Sequence, residues 1–541
     1  MPILWLLLGA LYLGPLPEDP TLDLRQFLSR YRTGVIDASV IGRLKPSVNP
    51  PAAFPAYERA REKLRKEPTV KGATALLEAA TLRLHENPER ELIRFAAQQP
   101  WVIRRRAIDE LRRYFTDEEI QLWAEELLRD PETDVDRRRV LVEYLGAAQR
   151  RLPRDSAREL LEESMRHPDA GVRAHAVGAL GEWVRVDGLP TLLRALYDPE
   201  ASVRLRAATA LRSTVDRLGD EVDGERARLV PLMSHRLGDE DPMVRMLIAE
   251  LIRDLPHGSA VPRLIEALAD EESRAGTKDA RLRFRVAVED SLLKICGTGS
   301  LEWNAGQWHR WYESSGKETL EAGSIRGRTS DVALKRTYPG YFGREVPSDH
   351  VVFVMDFSGS MRRRPGTDAH DKGEGDRLFG SRIALARGHF KRYLEALDET
   401  HYFNVVIFAV GAQAAFDDLV PATRENRARA WAFVEQVKLG GETDLYAGLI
   451  KGLRTAGLDA EIRFATAADT LYLLSDGVPT AGAVTDPGDI VRTITKMNQA
   501  SGLKINVVDL GARHKAFQVH LRDLALQNGG EYIRPEGNAE R

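Results

Sequence analysis

One cysteine in 541 residues, Cys296, leaves the chain without an internal disulfide framework or a multi-cysteine zinc site. It stands in the apolar segment SLLKIC, where a small core residue suits the packing. Charge of one sign is scarce too: 78 Lys and Arg against 81 Asp and Glu give a net −3, with the signs closely alternated. No long basic block offers a nucleic-acid or anionic-membrane footprint, so no nucleic-acid partner is expected. After the first 13 residues no run is long and apolar enough for a transmembrane helix. The catalytic signatures GxxxxGK[ST], HExxH and CxxC are absent, GxSxG does not occur around Ser358, and the 12 histidines are scattered. A non-enzymatic protein is therefore expected. What is present is ample core material, 43% hydrophobic residues, in a chain long enough for two or more domains.

The chain begins MPILWLLLGALYLGPLPEDP, in which Ile3 to Leu13 match a signal-peptide core in length. No Lys or Arg precedes the run, and Leu8-Gly9-Ala10 substitutes for an Ala-x-Ala cleavage site. Residues 1–20 are read as a signal peptide and the protein as exported, periplasmic or extracellular; a cytoplasmic protein with an uncleaved apolar terminus is the alternative. Residues 21–56 are Pro-rich and read as a linker.

From residue 57 the texture becomes amphipathic-helical, and a repeat emerges. HPDAGVRAHAVGALGEW (167–183), DPEASVRLRAATALRST (198–214) and DEDPMVRMLIAELIRDL (239–255) each open on an Asp/Pro turn, continue with Val-Arg and enter a helix. Val172, Val203 and Val244 mark intervals of 31 and 41 residues. Degenerate copies lie at 100–115, 134–146 and 281–296, with second helices such as LPTLLRALYD and AVPRLIEALAD between copies. Such pairs bury their apolar stripes only by stacking, which predicts an all-α solenoid over 57–300. The pattern resembles the HEAT-repeat family. That resemblance implies a structural role for Asp169, Arg173, Asp198, Arg204, Asp241 and Arg245, pairing between successive repeats along an inner ridge. Residues 301–347 follow as a cap and linker in which Trp303, Trp308, Trp311 and Tyr312 cluster.

Residues 348–541 alternate buried strands (351–357, 402–409, 470–476, 504–511) with amphipathic helices, predicting an α/β doubly wound, Rossmann-like parallel sheet. Such sheets bind ligands at the carboxyl ends of their strands. Three segments end there in oxygen donors: VVFVMDFSGSM in Asp356, Ser358 and Ser360, LGGETDLYAGL in Thr443, and TLYLLSDGVPT in Asp476. Two carboxylates and three hydroxyls are hard ligands suited to Mg²⁺ or Mn²⁺, and to Ca²⁺ less well because few are charged. Asp444 beside them reads as a helix cap.

Asp356-x-Ser358-x-Ser360, then Thr443, then Asp476 resembles the metal-ion-dependent adhesion site of the von Willebrand factor A (integrin I-like) domain. The resemblance implies that the three hydroxyls bind the metal and that Asp356 and Asp476 hold metal-bound waters. It also implies that a Glu or Asp of a protein partner completes the shell. The function expected is protein–protein interaction or adhesion, with the helical repeats as scaffold or second surface. An alternative is a cytoplasmic accessory subunit docking an AAA-type ATPase to a client, and a third is a structural scaffold with an idle metal site. The segment RRRPGTDAHDKGEGDRLFG (362–380) reads as a solvated loop, or as a lid whose Arg362 to Arg364 attract an acidic partner or whose Asp371 to Asp376 compete for the open metal position.

Overall fold

A computed structural model describes residues 117–147, 154–297, 304–321, 338–364, 380–458, 468–476, 478–499, 501–511 and 515–535. The signal peptide, the linker, the repeat copy at 100–115, Trp303 and loop residues 365–379 lie outside the described residues. The chain divides into two compact units between Val172 and Arg173.

In the first unit, α1 (Asp117–Arg129), α2 (Val135–Ala147) and α3 (Arg154–Ser164) bury Val140, Leu141, Tyr144, Leu145, Leu160 and Leu161. Arg138 closes the turn before α2: its Nε donates to the Thr133 carbonyl at 2.9 Å, and further N–H groups reach the carbonyls of Leu128 and Asp130. Arg139 donates to Asp169 Oδ1 at 3.0 Å, and the same oxygen accepts the Val172 amide at 2.9 Å. One carboxylate thus both caps a helix and pairs with an arginine.

The second unit carries all but the first turn of α4 (Ala170–Trp183), then α5 (Leu189–Ala195), α6 (Ala201–Leu218), α7 (Arg226–Ser234), α8 (Pro242–Asp254), α9 (Val261–Ser273) and α10 (Leu282–Cys296). α6 packs on α8 and α8 on α10, while α5 packs on α7 and α9 on α10, giving two helical layers. Arg173 grips Asp198 through two bonds of 2.8 Å. Arg204 grips Asp239 through bonds of 2.8 and 2.9 Å and adds Glu240 at 2.8 Å. Asp241, expected to pair along this ridge, instead caps α8, accepting the amides of Met243 at 2.8 Å and Val244 at 3.1 Å. Pro242 at the first helical position makes Asp241 the cap, and Asp239, two residues earlier, faces the arginine. Arg245 turns to the carbonyls of Asp239 at 2.8 Å and Asp279 at 3.1 Å, with Glu271 3.7 Å away. Beyond α10, Trp308 on α11 (Ala305–Trp311) is fully buried and meets Trp311 edge-on at 5.8 Å. α11 packs on α9, its first amide held by Glu272 at 2.8 Å, and α12 (Lys317–Glu321) follows.

A short hairpin, β1 (Gly340–Tyr341) and β2 (Arg344–Glu345), precedes the main sheet. Its strands are β3 (His350–Asp356), β4 (Tyr402–Phe408), β5 (Ala412–Ala414), β6 (Val420–Pro421), β7 (Thr470–Ser475), β8 (Lys504–Asp509) and β9 (Tyr532–Ile533). The order is β5-β4-β3-β7-β8-β9, with β6 also on β4; β3, β4, β7, β8 and β9 are mutually parallel, and β5 and β6 run antiparallel to β4. β3, β4, β7 and β8 were legible as near-continuous apolar runs because both faces are covered. α13 (Arg382–Ala396) and α14 (Arg424–Gln436) join one face with Val351, Phe353, Met355, Val405 and Leu474. α15 (Leu445–Thr455) lies on β3 and β4, while α16 (Pro487–Asn498) packs on α17 (Lys515–Gln527), which covers β8. α13 and α14 close each other's ends. Arg387 of α13 donates to the carbonyls of Val434 at 2.9 Å and Val437 at 2.8 Å, and Arg427 of α14 to that of Leu397 at 2.8 Å.

The amino-terminal edge of this sheet rests on the last repeat helices. Arg283 of α10 donates to the Asp469 carbonyl at 2.6 Å and grips Glu250 of α8 at 2.9 Å, and Arg212 of α6 meets Glu250 at 2.7 Å. Arg281 donates to His350 Nε2 at 3.0 Å. Since a guanidinium only donates, His350 carries its proton on Nδ1 and gives it to Asp349 at 2.9 Å.

Three outcomes are expected. Arg204→Ala leaves the Asp239 carboxylate, whose side chain is 0% exposed, with Arg236 at 3.4 Å as its remaining arginine, and should cost about 3 kcal/mol in chemical denaturation. Arg263→Ala, which breaks the exposed Arg263–Glu266 pair, should stay within about 0.5 kcal/mol. Burial alone would raise the Glu250 carboxyl, yet Arg283, Arg212, Lys504 and Arg253 outweigh it and hold it at about 2 against an ordinary 4.5. Its stabilising contribution is therefore complete above pH 4.5 and fades as pH falls toward 2. Denaturation midpoints of the parent and Glu250→Gln, compared across pH, should differ by a constant amount above about pH 5 and converge toward pH 2.

Candidate metal centre

The register of the parallel strands sets the site. Asp356 ends β3 opposite Phe408 of β4, and Met355 pairs with Leu474 of β7, so Asp356 and Asp476 leave adjacent strands at the same edge. After Asp356 the chain turns sharply. The Ser358 amide donates to Asp356 Oδ1 at 2.8 Å, and a single helical turn, Gly359–Arg362, carries Ser360 back toward Ser358. The two hydroxyl oxygens lie 3.0 Å apart, and Ser360 Oγ donates to Asp476 Oδ1 at 2.7 Å. The other Asp356 oxygen accepts from Ser475 Oγ at 2.8 Å.

Thr443 arrives on a separate loop stitched to this turn. The Gly440 amide donates to the Phe357 carbonyl at 3.1 Å, and the Gly359 amide to that of Gly441 at 3.3 Å. On its other side the Thr443 amide donates to Thr480 Oγ1 at 2.9 Å, and its carbonyl accepts the Thr480 amide at 2.9 Å. With its backbone committed, the Thr443 hydroxyl has no hydrogen-bond partner among the described residues. Asp444 is the cap the sequence led us to expect, its Oδ1 accepting the Ala447 amide at 2.8 Å. Gly482 has to be glycine: its φ is +106°, and a Cβ there would lie 2.2 Å from Asp444 Oδ1.

All of Asp356, Ser358, Thr443 and Asp476 are buried and Ser360 is half-buried. Burial, followed by the charge of Asp476, pushes the Asp356 carboxyl up to about 7. Among the described residues no group of three or more His, Cys, Asp and Glu is arranged to hold a metal ion. A cation here would therefore meet two carboxylates and several hydroxyls, an all-oxygen set that fits a hard divalent ion.

The sequence reading missed Arg382. This residue opens α13, is 2% exposed, pairs with Asp476 Oδ2 and donates to the Gly511 carbonyl at 2.9 Å. The signal was available, because a cation in the first turn of a helix opposes its dipole and such a local conflict points to another duty. Arg362, which the alternative reading of 362–380 placed in a lid, donates to the Leu439 carbonyl at 2.6 Å.

Solved structures similar to this chain include a von Willebrand factor type A protein from Catenulispora acidiphila, at 19% identity and TM-score 0.24, covering 34% of this chain and 38% of that one. The mussel byssus proximal thread matrix protein 1, described with a zinc-occupied MIDAS motif, is similar at 18% identity and TM-score 0.24, over 34% of this chain and 41% of that one. Among curated proteins, the chain is similar to inter-alpha-trypsin inhibitor heavy chain H1. The Sus scrofa protein is 30% identical over 187 residues, which is 34% of this chain and 18% of the relative. The Homo sapiens protein is 28% identical over 282 residues, 51% of this chain and 27% of the relative. The chain thus spans about a quarter or less of the length of these relatives. Residues 120–212, 157–227 and 189–281, which carry the stacked helices, match the family model for HEAT repeats.

Proposed function

We propose that Asp356, Ser358, Ser360, Thr443 and Asp476 hold a divalent cation, Mg²⁺ or Mn²⁺ in preference to Ca²⁺, and that the chain is a non-enzymatic protein-binding module. The observation that carries this reading is the convergence at one strand edge. Ser358 and Ser360 stand 3.0 Å apart, and Ser360 reaches Asp476 at 2.7 Å, beside a Thr443 hydroxyl with no partner among the described residues. A bound cation supplies a Lewis-acidic position for one outside oxygen. The ligand is a Glu or Asp side chain of a partner protein, since a carboxylate is the hard anionic donor a protein surface offers. The relatives support a binding role, their name being that of trypsin-inhibitor heavy chains rather than of a catalyst.

The reading includes an A-type domain of doubly wound topology over 348–541, HEAT-like repeats over 57–300 as scaffold or second surface, and a cap and linker over 301–347. It also places the protein outside the cytoplasm, on the strength of the apolar run Ile3 to Leu13.

Calorimetric titration of Mn²⁺ into the full chain tests the site. The parent should bind one ion, and Asp356→Ala and Thr443→Ala should each weaken binding about tenfold or more. Mg²⁺ should raise the thermal midpoint of the parent more than that of either variant. A parent chain that binds neither ion would sink the proposal.

A further inference from the structure

Arg382 brings a permanent positive charge into the proposed metal site. Its side chain is 2% exposed and that of Asp476 0%, so neither charge is screened by water. It is fixed from two sides, by Asp476 Oδ2 and by the Gly511 carbonyl at 2.9 Å, while the Ser381 hydroxyl caps α13 at 3.2 Å and anchors the residue's backbone. With Ser360 on one oxygen of Asp476 and Arg382 on the other, both oxygens of that carboxylate are engaged.

Asp356 and Asp476, if ionised, contribute −2 and Arg382 +1, so the protein's own groups sum to −1 and a divalent cation takes the site to +1. Without Arg382 the loaded site would be neutral. We propose that Arg382 is a specificity-determining residue: it weakens the hold on the cation and, in exchange, leaves the loaded site with an excess positive charge that only an anionic ligand satisfies. This inference rests on the metal-binding reading above. It adds that the partner group is a carboxylate because of Arg382, a neutral amide or hydroxyl leaving the excess charge uncompensated.

The prediction has two opposite signs. In the full chain, Arg382→Gln and Arg382→Met remove the charge and should bind Mn²⁺ about tenfold or more tightly than the parent. The Mn²⁺-loaded variants should bind acetate, the simplest carboxylate probe, about tenfold or more weakly, read from the water-proton relaxivity of the bound Mn²⁺. Arg382→Lys retains the charge and should resemble the parent in both measurements. If a neutral variant folds only with Mn²⁺ present, competition against a chelator reads the same affinity. Weaker Mn²⁺ binding in the neutral variants, or acetate binding indifferent to the substitution, would overturn the inference while leaving the metal site standing. A parent that binds no Mn²⁺ would overturn the underlying reading as well.

Discussion

Two buried carboxylates on adjacent parallel strands cannot both stay charged unless something positive lies beside them. In this protein Asp356 and Asp476 are in that position, and the surrounding structure reads as a set of answers to it. Arg382 answers for Asp476, from a helix terminus where a cation is otherwise unwelcome. Asp356 is met by the Ser358 amide and the hydroxyls of Ser358 and Ser475, none of them charged, and it rises to about 7. A carboxyl raised in this way contributes fully below its ordinary 3.8, and that contribution falls away between 3.8 and about 7.

A second arginine–carboxylate economy runs through the repeats. Asp169 and Asp198 each do two jobs, accepting a backbone amide of the following turn and an arginine from an earlier helix. In the next copy Asp239 likewise accepts the Asp241 amide and Arg204, and Asp241 caps α8. Buried pairs of this kind contribute little against an apolar replacement but cost heavily when half-removed. They therefore fix the spacing of successive helices more than they add stability.

Much of this was legible in the sequence where burial is two-sided or the period is regular. β3, β4, β7 and β8 announced themselves as apolar runs, and the five oxygen donors of the site stood at their ends or on a neighbouring loop. β5, β6 and β9 did not, because two or three residues at a sheet edge are too few to show alternation. Asp241 was misread because Asp-Pro looks alike whether the carboxylate turns inward to its helix or outward to a neighbour. Arg382 was missed because its partners, Asp476 and Gly511, lie 94 and 129 residues away in sequence.

The tie between α10 and the amino-terminal edge of the sheet gives the molecule a mechanical axis. The proposed ligand position lies at one end of β3, and His350, held by Arg281, lies at the other, about 20 Å away along seven residues. Tension applied by a partner at Asp356 would run lengthwise down β3 and its neighbour β7. It would leave the sheet through the Arg281–His350 and Arg283–Asp469 contacts into the repeats. The hydrogen bonds between parallel strands would be loaded in shear, many at once, whereas these two arginine contacts would take the pull end-on.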